Sequence, residues 1–221
     1  MRKLGGLAAL GSTIFTVTWI VLGIVSDGYQ MWDIVVDGYS SIAQPISGLG
    51  LGSTAPVMNT AFVLGGVLVS VGTWAGMSRW PGAGRRSVTW TRGLVTTCGI
   101  GMAVCGIFTL ESILLHTFGF VLATAAPGIG FLIGARTLRG TPYRRLAAWL
   151  WFAGPVALAG LVAFMATFNA TDAGDNTGVA GLIQRILVTV VLSAVSAIGL
   201  IGSGRPRRLP TGTATAGVGS R

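Results

Sequence analysis

Residues 93–134, GLVTTCGIGMAVCGIFTLESILLHTFGFVLATAAPGIGFLIG, run for forty-two positions with one charged side chain, Glu111, and the chain's only histidine, His116. At about 1.5 Å of rise per residue, a single helix of this length would reach about 63 Å. A bilayer offers only about 30 Å of hydrocarbon. The segment must therefore reverse inside itself. Arg92 and Arg136 bound it, and residues 111–116, ESILLH, straddle its midpoint without a glycine or proline. The turn expected there is polar by side chain rather than marked by backbone punctuation, and it joins a helix over 93–110 to one over 114–134.

Working outward, the rest of the 221 residues follow the same logic: 52% are hydrophobic and only 10% charged, too little polar surface to cover a soluble domain of this size. The fold class is an all-α polytopic membrane helix bundle, with further helices expected over 5–26, 55–77, 146–168 and 181–202. A net charge of +9 invites a nucleic-acid reading. The basic residues form short groups between apolar runs rather than one patch, so the reading is no nucleic acid partner. Arg2 and Lys3, then Arg79, Arg85, Arg86 and Arg92, then Arg136, Arg139, Arg144 and Arg145, then Arg205, Arg207, Arg208 and Arg221 place fourteen of fifteen cations on one side. Asp27, Asp33, Asp37, Glu111, Asp172 and Asp175, all six acids, fall on or near the other. The positive-inside rule then gives six transmembrane helices with N- and C-termini cytoplasmic. Residues 1–202 form the membrane domain, and 203–221, rich in Gly, Pro and Thr, form a disordered basic cytoplasmic tail. The first helix is too long for a signal-peptide apolar region and shows no cleavage pattern, so it is expected to stay.

Residues 27–54 make the longest polar connection. Its acids lack the alternate spacing and closing Glu of a calcium loop, and Tyr29, Trp32 and Tyr39 suit an interface. Residues 38–50 are too polar to span, so a short interfacial or re-entrant element is expected. Pro127 and Pro155 are expected to kink their helices. Gly72 and Gly76 have the spacing of a close helix contact, whereas Gly99, Gly101, Gly128 and Gly130 lack the Lys-Ser/Thr of a phosphate loop. Cys98 and Cys105 lie about 10 Å apart on one helix face, too far for a disulfide.

Arg185 is the one cation on the wrong side, about a turn into the last helix. Two readings stand: its side chain snorkels to outer headgroups, or it points inward to Glu111. On one continuous helix Glu111 and His116 would point about 140° apart; across a turn they converge. A catalytic zinc needs about three protein ligands, a bis-histidine haem needs a second histidine, and neither set is present, so no metal and no cofactor is expected. A serine nucleophile from Ser40, Ser41 or Ser47 with His116 as base remains open. A proton path through Glu111 and His116 is poorly marked, because most helices carry no ionisable residue at mid-depth.

Several separated segments taken together are similar to one family: residues 38–50, GYSSIAQPISGLG, followed by 55–62, APVMNTAF; residues 106–111, GIFTLE, with His116 and Phe120; and residues 181–185, GLIQR. In this order they resemble the bacterial and archaeal membrane family of domain of unknown function 998. That resemblance implies a six-helix domain in a bacterial or archaeal cell membrane, with no established activity. The chain departs from the family's pattern at Gly48, where an acid is common, at Phe108-Thr109, where a Phe-Pro pair is common, and in a shorter connection before the histidine.

The function expected is an outward-facing polar pocket built from Tyr39, Ser47, Glu111, His116, Gln184 and Arg185, for a lipid headgroup, small ligand or partner subunit. The alternative is a membrane hydrolase or transferase on lipid-linked material, with Glu111 or His116 as general base. A structural subunit packed through small residues is the third.

Overall fold

The computed structural model describes residues 4–78, 80, 82 and 84–203. Arg2, Lys3 and Arg79, and the tail expected to be disordered from 204 on, with Arg205, Arg207, Arg208 and Arg221, lie outside the described residues. Long helices are α1 (Gly6–Val25), α2 (Ala55–Met77), α3 (Arg86–Ile107), α4 (Ile113–Leu138), α5 (Arg144–Thr167) and α7 (Ala180–Ser203), with a short α6 (Ala170–Gly174) before the last.

Five of these, all but α3 and α6, are long and apolar enough to cross a membrane. The helix α3 matches them in length at 22 residues, but its first twelve residues include Arg86, Ser87, Thr89, Thr91, Arg92, Thr96 and Thr97. It also begins before the expected position 93. Arg92 lays its guanidinium 3.8 Å from the Trp74 ring centroid on α2, so its charge is carried on the helix flank and does not force a loop. Pro127 and Pro155 both lie inside helices that continue past them.

Glycines set the helix spacing, because without a hydrophobic drive between helices in lipid, close backbone approach and van der Waals contact hold the bundle. A Cβ at Gly72 would lie 2.1 Å from the Ala8 nitrogen, and one at Gly11 2.6 Å from the Gly65 oxygen, fixing α1 against α2. The α2–α3 crossing is reciprocal at Gly66 and Gly99, and Gly101 meets Gly119 between α3 and α4. Successive helices run antiparallel. Finally α7 packs on α5, α1 and α2, and closes the ring. Cys98 and Cys105 are buried free thiols.

The expected polar connection after α1 instead contains a hairpin, β1 (Gly28–Met31) paired antiparallel with β2 (Ile34–Asp37). Trp32 in its two-residue link takes φ of 53°. Alternation explains the strands: Tyr29, Met31 and Val36 turn inward, while Gln30 and Val35 face out. With only four residues per strand, that period is too short to stand out in the sequence. Tyr29, Met31 and Val36 pack with Leu51 and Leu110 into a small second core at this mouth of the bundle. The element expected within residues 38–50 is a 3-10 turn, Ile46–Gly50, buried at every residue.

Candidate functional site

Gln44 organises the chain between hairpin and 3-10 turn. It is 0% exposed, its Oε1 accepts from the Ser40 amide at 3.1 Å, and its Nε2 donates to the Gly38 and Ala173 carbonyls at 3.2 Å each and to Asn176 Oδ1. The first amides of α7, unpaired within their own helix, donate to this loop: Gly181 to Ala43 at 3.2 Å and Leu182 to Ile42 at 2.9 Å. Only glycine suits position 181, because a Cβ there would sit 2.2 Å from the Gln44 oxygen.

One turn into α7, Arg185 clasps the same loop and is 8% exposed. Its Nη1 donates to the Gln44 carbonyl at 2.9 Å and the Gly181 carbonyl at 3.0 Å, and its Nη2 donates to the Tyr39 hydroxyl at 2.5 Å. Tyr39 in turn donates to the Pro45 carbonyl at 2.9 Å. The guanidinium lies 5.3 Å from the Trp19 ring centroid and 5.6 Å from that of Tyr39, so carbonyl dipoles and π faces solvate the charge. Burial pushes the Tyr39 phenol up, against the opposing pull of Arg185, and the phenol stays protonated at neutral pH.

This geometry corrects the expected pairing of Arg185 with Glu111. Arg185 neither snorkels nor meets an acid; its Nη1 and Nη2 are taken up by the Gln44 and Gly181 carbonyls and the Tyr39 hydroxyl, while its Nε is buried without a hydrogen bond. Glu111 is exposed on the turn between α3 and α4. Its neighbour Leu110 is the residue that turns inward, 3% exposed in the hairpin core. The reversal in residues 93–134 is therefore anchored by an apolar side chain, with the polar one left outside.

The other three expected residues line one small cavity of about 40 Å³, floored by Phe120, Phe164 and Phe168. Ser47 reaches it from the 3-10 turn, His116 and Thr117 from the first turn of α4, and Gln184 from α7. Gln184 Oε1 accepts from the Ile46 amide at 2.6 Å, which fixes the rotamer and leaves its Nε2 without a hydrogen bond. His116 Nδ1 lies 2.7 Å from the Phe108 carbonyl. A carbonyl only accepts, so Nδ1 carries the proton and the neutral ring keeps its lone pair on Nε2. Ser47 Oγ and Thr117 Oγ1 make no hydrogen bond among the described residues either. The cavity thus gathers amide and hydroxyl donors around one imidazole acceptor, with no charged group on its wall. About 10–15 Å³ holds one water, so the space suits a few waters or the neutral polar end of a larger molecule.

Among the described residues no group of three or more His, Cys, Asp or Glu is placed to hold a metal ion. Sequence reading missed Gln44, Trp19, Asn176 and Thr117. Gln44 and Thr117 were within or beside segments already singled out, but nothing in a linear sequence says that Trp19, on α1, lies under Arg185.

Helix bundle, buried mouth loop and apolar outer surface define a class, an all-α multi-span membrane protein. Residues 9–201 match the family described as protein of unknown function (DUF998), and the chain belongs to that family. No curated protein and no solved structure matches the chain.

Proposed function

We propose that all six long helices cross the membrane, that residues 1–202 act as one membrane domain with the arginine-bearing ends in the cytoplasm, and that the Ser47–His116–Gln184 cavity opens outward to bind the neutral polar end of an amphiphile. The antiparallel course of α3 supports the crossing count. Its Thr96 carbonyl accepts from Ser70 at 3.1 Å, its Gly99 meets Gly66, and a Cβ at Gly106 would press on Phe62 and Asn59. A helix that returns beside α2 over this length shares its depth.

One observation carries the binding reading: four polar groups from three separate elements meet at one cavity, and each is left with an unused hydrogen-bonding atom. None of the four is among the sealed side-chain atoms without a partner, so each stays reachable from the cavity. A hydroxyl-bearing ligand would satisfy donors and acceptor together, while its chain meets Phe164, Phe168 and the half-exposed Met165. The absence of a wall charge favours a neutral group over a phosphate.

The full chain in micelles, titrated with monooleoylglycerol, tests this. Its thermal midpoint is expected to rise, and the rise is expected to vanish in Ser47→Ala/Thr117→Val, which removes two hydroxyls that support no contact in the fold. An equal rise in both proteins, or none in either, would remove the reading.

Acyl transfer stands second, because His116 holds a free Nε2 in the cavity that Ser47 shares. Ser47 is not hydrogen-bonded to it, and a carbonyl rather than an acid orients the ring. Labelling of Ser47 by a long-chain fluorophosphonate, lost in His116→Gln, would establish this chemistry; an unlabelled wild-type chain would eliminate it.

A further inference from the structure

At the opposite end of the bundle, the turn from α4 to α5 brings Arg136, Arg139, Arg144 and Arg145 together, and the outer cavity makes no use of them. Between the two helices lies a recess of about 230 Å³, lined by Arg139, Arg144, Trp151 and a floor of Ala135, Ala147 and Ala148. The guanidinium groups of Arg136 and Arg139 each lie 5.5 Å from the Trp151 ring centroid, so two cations share one aromatic ring. Like charges repel at such range, and no Asp or Glu offsets them: the six stand at positions 27, 33, 37, 111, 172 and 175, in or beside the hairpin, in the α3–α4 turn and in the segment before α7. Nor does the first turn of α5 carry an acid; Arg144 and Arg145 stand there instead, against the preference of a helix N-terminus for negative charge. The shape adds a second requirement. Three alanines leave an apolar floor, Trp151 is 43% exposed, and the neighbouring Phe152 is 53% exposed on the same lipid-facing helix.

We propose that this recess binds the phosphodiester of an anionic phospholipid from the adjoining leaflet, with Arg139 and Arg144 on the phosphate oxygens and Trp151 with the alanine floor against the glycerol and first methylenes. Arginine forks match phosphate oxygens in pairs, tryptophan suits the headgroup level, and basic recesses between spanning helices are a recurrent setting for such headgroups. A soluble anion would satisfy the arginines but leave the alanine floor and the Trp151 ring bare. The inference stands apart from the cavity at the other end.

The test is native mass spectrometry of the full chain in dodecyl maltoside, titrated separately with dioleoyl phosphatidylglycerol, dioleoyl phosphatidylcholine and sodium phosphate. One phosphatidylglycerol is expected to persist in preference to phosphatidylcholine. In Arg139→Gln/Arg144→Gln its apparent affinity should fall about twenty-five-fold, at about a factor of five per surface cation lost, with phosphatidylcholine unchanged. Both side chains are exposed, so an unaltered thermal midpoint would show that the fold survives. Arg92→Gln, at the same end but stacked on Trp74, should leave the lipid bound. Equal retention of the two lipids, an unaffected double variant, or an equal loss in Arg92→Gln would overturn the site. Displacement of the lipid by equimolar phosphate would overturn its lipid character.

Discussion

Arg185→Met is expected to destabilise the protein by about 2–4 kcal/mol, most of it at the outer loop. Hydrogen bonds to a charged group contribute about 1.5–3 kcal/mol, and a buried group left without its partner costs about 1–3 kcal/mol. Arg185 makes three such bonds, and the Gln44 carbonyl accepts from no other donor among the described residues. An opposing effect is real: a lone buried cation carries a desolvation cost, which methionine would relieve. Here the stranded carbonyl and the freed Tyr39 should outweigh it, because the cation already has carbonyls and two aromatic faces around it. Arg185→Lys should fall between, since one ammonium cannot reproduce a planar fork reaching two carbonyls and a phenol. Unfolding in dodecyl maltoside titrated with dodecyl sulfate measures the total, and limited proteolysis across residues 38–54 measures the loop. A methionine variant with wild-type stability and an equally protected loop would show that the clasp holds nothing.

The second large effect is expected at the α2–α3 crossing. A Cβ at Gly99 would lie 2.1 Å from the Gly66 oxygen and 2.7 Å from the Ser70 nitrogen. Both are backbone atoms, so no rotamer relieves the clash and the helices must part. Overpacking costs about 1–3 kcal/mol even where side chains can shift; Gly99→Ala should reach the top of that range and Gly99→Val should fail to give a monodisperse protein on size exclusion. Gly93, on the same helix, has nothing within 4 Å of its added Cβ. Gly93→Ala should therefore stabilise by about 0.5–1 kcal/mol through helix propensity. If Gly93→Ala and Gly99→Ala melt alike, close backbone approach is not what fixes this interface.

The helices were legible because apolar length and arginine placement are one-dimensional signals. Residues 93–134 announce a reversal by length alone; the break between the helices falls at residues 108–112, a few positions before the midpoint at 114. What could not be read was direction. Glu111 and Leu110 are neighbours, and composition gives no reason to send the leucine inward and the acid out; the hairpin that receives Leu110 is built from strands too short to declare themselves. Of the six residues expected to share one pocket, the fold brings Ser47, His116 and Gln184 to one cavity. Tyr39 and Arg185 meet beside it, as a pair with a different task. The partner expected for Arg185 failed for a specific reason: a rule that seeks an opposite charge overlooks carbonyl groups, which every residue supplies and no composition records.

The clasp also constrains when the protein can be finished. Tyr39 and Arg185 are separated by 146 positions, so the loop emerges among the first segments while the side chain that secures it belongs to the last helix. Until α7 has been synthesised and its cation has crossed to the far face, Gln44 lacks the guanidinium, and Ile46 lacks its Gln184 acceptor. Contacts this remote in sequence form late. The mouth of the bundle thus depends on contacts that α7 supplies.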